Sequence, residues 1–118
     1  MKKKLIGFTL GRKKINLEAH VVPKWCEWLG LMFRRREKAR ALLFEFKKPV
    51  RMAIHSYFVF FPFVAIWVDS HNKVIAIKRV EPFKFRVLPS EKFIRLIEVP
   101  VNTFYNSLKF PSDKERFK

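Results

Sequence analysis

The stretch Met52-Ala53-Ile54-His55-Ser56-Tyr57-Phe58-Val59-Phe60-Phe61-Pro62-Phe63-Val64-Ala65-Ile66-Trp67-Val68 decides the fold: seventeen residues without Asp, Glu, Lys or Arg, between Arg51 and Asp69. Its length reaches the lower bound of a membrane-spanning helix. Pro62 interrupts it, however, and most of its side chains are aromatic or β-branched, types that pack well on a pleated surface. The composition therefore predicts two buried strands, 53–61 and 63–69, broken at Pro62, and argues against a membrane span.

Working outward, the rest of the chain alternates short apolar runs with turn chemistry, the texture of a mainly β domain. Residues 4–10 read as a strand, Gly11-Arg12-Lys13-Lys14 as a turn, and 15–22 as the returning strand of a hairpin, with Ile15, Leu17, Ala19 and Val21 on one face. Pro23 suits the first turn of a short helix through Trp25, Trp28 and Leu29 that Gly30 ends. Arg34 to Lys38 reads as a basic loop, 41–46 as a strand, Lys47-Lys48-Pro49 as a break, Ser70-His71-Asn72-Lys73 as a turn, and 74–80 and 93–99 as strands. A second short helix is expected near Thr103 to Leu108. The resulting expectation is a single β-rich domain over 1–110 with a frayed tail over 111–118, and a twisted, mostly antiparallel sheet closing as a small barrel with one or two short helices. Trp25, Trp28, Met32, Phe33, Phe44 and Phe46 should share one core.

Composition narrows the class further. The chain has 118 residues, enough for one core, and 49% of them are hydrophobic, which excludes intrinsic disorder. Cys26 is the single cysteine, so a disulfide-rich secreted scaffold is excluded. After Met1-Lys2-Lys3-Lys4 only Leu5 to Leu10 precede renewed charge, too short for a signal-peptide core. The net charge of +16 points to polyanionic partners. It is concentrated early: residues 1–51 carry 15 Lys/Arg against 4 Asp/Glu. A thermophile-like surface is the competing reading, because Gln is absent, Glu outnumbers Asp 8 to 2, and only 3 glycines occur.

Five ordered motifs carry a resemblance to a known family. Gly30-Leu31-Met32-Phe33-Arg34, Leu42-Leu43-Phe44-Glu45-Phe46, Ile54-His55 leading into Phe58-Val59-Phe60-Phe61-Pro62, Trp67-Val68-Asp69 and Leu96-Ile97-Glu98-Val99-Pro100 resemble, in order and spacing, the "domain of unknown function 192" family, particularly its archaeal-type members. The resemblance covers about residues 8 to 113 and implies a small, soluble, mostly β domain with a barrel-like sheet, cytosolic in archaea and secreted in some bacteria; it implies no activity. Three positions depart from the family pattern. Val64 stands where the family places an Asp after its proline, Ala41 replaces the first glycine of the Gly-Met-Leu-Phe motif, and the terminal Gly-Asp appears as Ser112-Asp113.

Catalytic grammar is sparse. His20, His55 and His71 match no zinc spacing, Cys26 between Trp25 and Trp28 reads as a structural thiol, and no glycine-rich phosphate loop exists, so neither a metal nor a cofactor is expected. Asp69-Ser70-His71 reads as a hairpin turn rather than a hydrolase fragment. The sequence thus leans away from an enzyme. His55, the polar residue within the apolar run, is the candidate small-ligand residue, against a structural role at the core edge. Nucleic acid has better raw material: Arg34, Arg35, Arg36, Lys38 and Arg40 form one basic group and Lys47, Lys48 and Arg51 another, and Phe83-Lys84-Phe85-Arg86 interleaves aromatics with cations. The reading is a cytoplasmic, non-enzymatic binding module for RNA or DNA. Its alternatives are a structural or protein-interaction domain and a small-ligand site at His55.

Overall fold

The computed structural model describes residues 2–23, 31, 34–56, 58–84, 86–108 and 113–115. Seven strands form one sheet: β1 (Lys3–Leu10), β2 (Lys13–Val21), β3 (Leu42–Val50), β4 (Phe63–Val68), β5 (Val74–Val80), β6 (Phe93–Pro100) and β7 (Asp113–Glu115). Their spatial order is β1-β2-β3-β6-β4-β5-β7, antiparallel throughout except between β2 and β3. The mainly β expectation holds. The sheet curls into a half-barrel, and the β1 hairpin returns towards the β4–β5 turn, where Thr9 donates its N–H to Asn72 O at 2.8 Å.

Local chemistry explains the two short hairpins. Leu10 pairs with Lys13, leaving Gly11 and Arg12 as a two-residue turn, and Gly11 has a φ of 62°, the left-handed backbone that such turns require of their first central residue. At the β4–β5 turn, one Asp69 carboxylate oxygen accepts from His71 N at 2.8 Å and Lys73 N at 3.0 Å. Asp69 therefore organises a turn, as its spacing to His71 suggested. Pro49, which has no N–H to donate, lies where β3 loses register with β6 between Glu45 and Val50.

Alternating side chains build a core on each face. On one face Leu42, Phe44, Trp67, Phe93 and Leu96 are buried with Val59 and Phe61. On the other, inside the curl, Leu43, Ile66, Ile97 and Val99 meet Ile6, Phe8, Leu17 and Ala19 of the hairpin. Phe44 and Phe46 join the first cluster, Phe46 at 5.6 Å from the Phe93 ring. Trp25, Trp28, Met32 and Phe33, the short helix expected after Pro23, and Cys26 lie outside the described residues.

The 53–61 strand is a correction. β3 ends at Val50 opposite Phe93, the first residue of β6, whereas β4 begins at Phe63 opposite Pro100, the last residue of β6. Residues 51–62 must therefore run the length of β6 outside the sheet. Residues 81–92 make the reverse journey, from Val80 beside Phe63 back to Phe93. The two crossings cover the first core and pair with each other: Ile54 and Val87 form an isolated antiparallel bridge, and Ser56 binds the 81–84 segment. Beyond Ser56 the backbone turns, with Val59 N donating to Ser56 O and Phe58 at a φ of 58°. A strand-like composition here reflects burial over the sheet, not membership of it.

After β6, Asn102 caps a single 3-10 turn, Thr103–Tyr105, shorter than the helix expected there. Within 111–118, Asp113–Glu115 pair with β5. Among the described residues no helix is long and apolar enough to cross a membrane.

Candidate nucleic-acid interface

The first basic group occupies the loop before β3. It is held by backbone and side-chain bonds to the segment after β6: Arg36 Nε donates to Val101 O at 2.7 Å, and Asn102 Nδ2 donates to the carbonyls of Arg36 and Ala39. Arg40 Nη1 donates to Glu37 O and Ala39 O, and its guanidinium lies 4.0 Å above the Phe104 ring. Arg34, Arg35, Arg36 and Lys38 are exposed, and Arg40 is half-buried. Burial first, and then the cations Lys3 and Arg34, hold His20 below its usual range, a sign of how positive this end of the molecule is.

The second group sits at the opposite end of β3. Lys47, Lys48 and Arg51 are exposed, and Arg51 Nε donates to Pro89 O at 2.9 Å. At about 3.3 Å per residue, β3 separates the two groups by roughly 25 Å, so they do not form one cluster. Of the two acids among residues 34–51, Glu37 stays beside Arg36 and Arg40, while Glu45 is drawn to cations outside the group. Glu37 Oε1 accepts from Thr103 N at 3.0 Å, a bond that holds its carboxyl below the usual carboxylate range. Burial would raise Glu45, but its contacts with Lys4 at 3.0 Å and Arg95 at 3.4 Å outweigh that and lower it.

Contacts through the crossing segments join the two groups into one track. From Arg51 and Pro89 the track passes Ile54 and Val87, then Ser56 and Lys84, then the residues before Pro62. Val101 N donates to Pro62 O at 3.0 Å, and Val101 O is the acceptor of Arg36. Along this track stand four large apolar side chains that the core does not take in: Met52, Phe58, Phe60 and Phe83 are 47%, 49%, 60% and 51% exposed, while Phe8, Phe61, Phe63 and Phe93 are 2% or less. The Phe60 and Phe83 rings meet edge to face at 5.5 Å. Phe58 and Phe83, with φ of 58° and 64°, adopt left-handed backbone that costs a bulky side chain roughly 1–2 kcal/mol. Lys84 and Arg86, which follow Phe83 in the chain, are exposed.

Ser56 locks this region. It is fully buried, its hydroxyl donates to Glu81 O at 2.7 Å and accepts from Lys84 N, its N–H donates to Lys84 O, and its carbonyl accepts from Phe83 N. His55 next to it is exposed and lies in the crossing segment, not on a strand. Two hollows are described elsewhere, one of about 140 Å³ beside Lys4, Asn72 and Arg95 and one of about 370 Å³ beside Arg79, Tyr105 and Asn106, and His55 lines neither. Among the described residues no three His, Cys, Asp or Glu side chains gather as a metal site.

Glu98 escaped the sequence reading, in which it appears only within the Leu96–Pro100 motif. It is 5% exposed, with Leu42 and Ala65 as cross-strand neighbours in the first core, and burial pushes its carboxyl up to about 8. Burial thus favours its neutral form. Phe58 and Phe60 belong to the run read as a buried strand; they alternate with buried Val59 and Phe61, but all four are apolar, so no sequence signal separates the outward pair from the inward one.

The model of the DUF192 family, Uncharacterized ACR, matches residues 10–109. The chain belongs to the DUF192 family. The fold comparison agrees with the sheet described for this DUF192 chain. A structure from Sinorhizobium meliloti 1021, described as a "putative transcription regulator", matches with a TM-score of 0.71 at 18% identity over 95% of this chain and 90% of its own. A protein of unknown function from Novosphingobium aromaticivorans DSM 12444 matches with a TM-score of 0.72 at 16% identity, over 98% and 85%. At such identities the likeness extends to the fold alone. No curated protein matches the chain.

Proposed function

We propose that this DUF192 protein is a non-enzymatic, cytoplasmic binding module for polyanions, RNA or DNA, and that Arg34, Arg35, Arg36, Lys38, Arg40, Lys47, Lys48 and Arg51 supply most of the attraction. The observation that carries the reading is the exposure of Arg34, Arg35, Arg36, Lys38, Lys47, Lys48 and Arg51 on a stretch with only two acids, of which Glu45 is drawn to Lys4 and Arg95 and Glu37 alone faces Arg36 and Arg40. Backbone acceptors hold Arg36, Arg40 and Arg51 in place, so part of the ordering cost of binding is met beforehand. The roughly 25 Å between the groups equals about seven phosphate steps of a duplex strand. The description of the Sinorhizobium relative is compatible with such a partner and adds no residue-level support.

Fluorescence anisotropy with a mixed-sequence RNA and a duplex DNA at two salt concentrations tests the reading. Arg35→Glu with Lys48→Glu reverses one cation at each end and spares Arg36, which also fastens Val101. Affinity should fall with salt, and the double variant should bind more weakly to every sequence and with a flatter salt slope, by about 0.7–0.9 per lost phosphate contact. Absence of binding at low salt would favour a protein-interaction domain instead.

A further inference from the structure

Resting on the polyanion reading, we propose that the track between the two basic groups is a base-stacking platform for single-stranded nucleic acid, with Phe58, Phe60 and Phe83 as the stacking side chains. Three observations converge on it. The rings are about half exposed, although the same segments bury Val59 and Phe61 completely, so the crossing loops separate inward from outward side chains residue by residue. Phe58 and Phe83 take left-handed backbone on either side of the Ser56 bonding centre, whose four hydrogen bonds to residues 81–84 hold the two loops together. The edge-to-face contact of Phe60 and Phe83 holds the two rings against each other while each stays at least half exposed.

Charge selects the occupant. Exposed Lys84 and Arg86 follow Phe83 in the chain, Arg51 begins the track and Arg36 ends it, so an extended polyanion crossing it meets cations before and after the aromatics, with two more on the segment that carries Phe83. A single strand offers unpaired base faces together with a phosphate backbone, and every base has a face to stack. A duplex keeps its bases stacked on one another and can use only the cations. The platform therefore adds preference for single strands without adding sequence preference.

The test compares three fluorescein-labelled probes of equal length: a single-stranded RNA, the same backbone with abasic sites, and a duplex. Wild-type protein should bind the base-bearing strand about tenfold or more tighter than the abasic one. Phe60→Ala with Phe83→Ala should shrink that difference to what Phe58 alone supplies, and Phe60→Tyr with Phe83→Tyr should retain it in full. Equal wild-type affinity for base-bearing and abasic strands would overturn the platform and leave the polyanion reading standing. Failure of all three probes to bind at low salt would overturn both. Binding to anionic lipid vesicles that the Phe→Ala pair abolishes, with RNA binding intact, would overturn the platform in favour of a membrane contact.

Discussion

Ser56 and Lys84 clasp each other across the two loops that cross the sheet: Ser56 N–H donates to Lys84 O at 2.9 Å, and Lys84 N–H donates back to the Ser56 hydroxyl. The same hydroxyl donates to Glu81 O. Ser56→Ala removes one donor and one acceptor from a site with no exposure to water. Unfolding in urea should register a loss of about 1–3 kcal/mol. A loss below about 0.5 kcal/mol would show that the loops are held by their apolar contacts alone.

Glu98 should make the protein less stable in alkali. Its carboxyl lies near 8 when folded against 4.5 when free, so the folded chain holds an extra proton between those values. This contribution is complete below pH 4.5, declines by about 1.4 kcal/mol per pH unit above it, and is gone once pH passes the folded value. Denaturation of wild type and Glu98→Gln at pH 5, 7 and 9 isolates the effect. The wild type should lose stability more steeply, and parallel curves would contradict a buried neutral acid.

Tyr105 reaches back over 64 residues to accept the Ala41 N–H at 2.6 Å. Tyr105→Phe leaves that buried N–H without its acceptor, and the thermal midpoint should drop by an amount equivalent to about 1–3 kcal/mol. An unchanged midpoint would mean that water replaces the phenol there.

Two phenylalanines of contrasting burial give a control for the platform. Phe44, 4% exposed in the first core, should cost about 3–5 kcal/mol on truncation to alanine. Phe60, 60% exposed, should cost under about 0.5 kcal/mol. Equal losses in urea unfolding would show that Phe60 supports the fold instead of serving a ligand.

Those elements whose side-chain period and turn chemistry agree were legible in the sequence. The hairpin of β1 and β2, the Asp69 turn and the strands 63–68, 74–80 and 93–100 combine alternation with Gly, Asp or Asn at the reversal. The crossing at 51–61 was not, because a segment lying over a sheet buries Val59 and Phe61 as a strand would while taking its backbone bonds from another loop. The basic groups were legible as charge, but their separation by the length of β3 and their junction through Pro62 and Val101 depend on topology. Burial of Glu98 was hidden for a similar reason: which face of β6 is covered depends on where the crossing loops lie.

The place of β6 also governs the order of assembly. It is the sixth strand in sequence, yet β3 and β4 meet only through it. The β1–β2 and β4–β5 hairpins can close from neighbouring residues, whereas the centre of the sheet waits for a segment about fifty residues beyond β3 to slide between two strands already made. Loop closure of that length precedes any gain from the central ladders, which places folding among the slower topologies. As the chain leaves the ribosome, the facing edges of β3 and β4 stay open until residues 93–100 emerge, so the newborn protein is most vulnerable to joining another chain in the interval before β6 arrives.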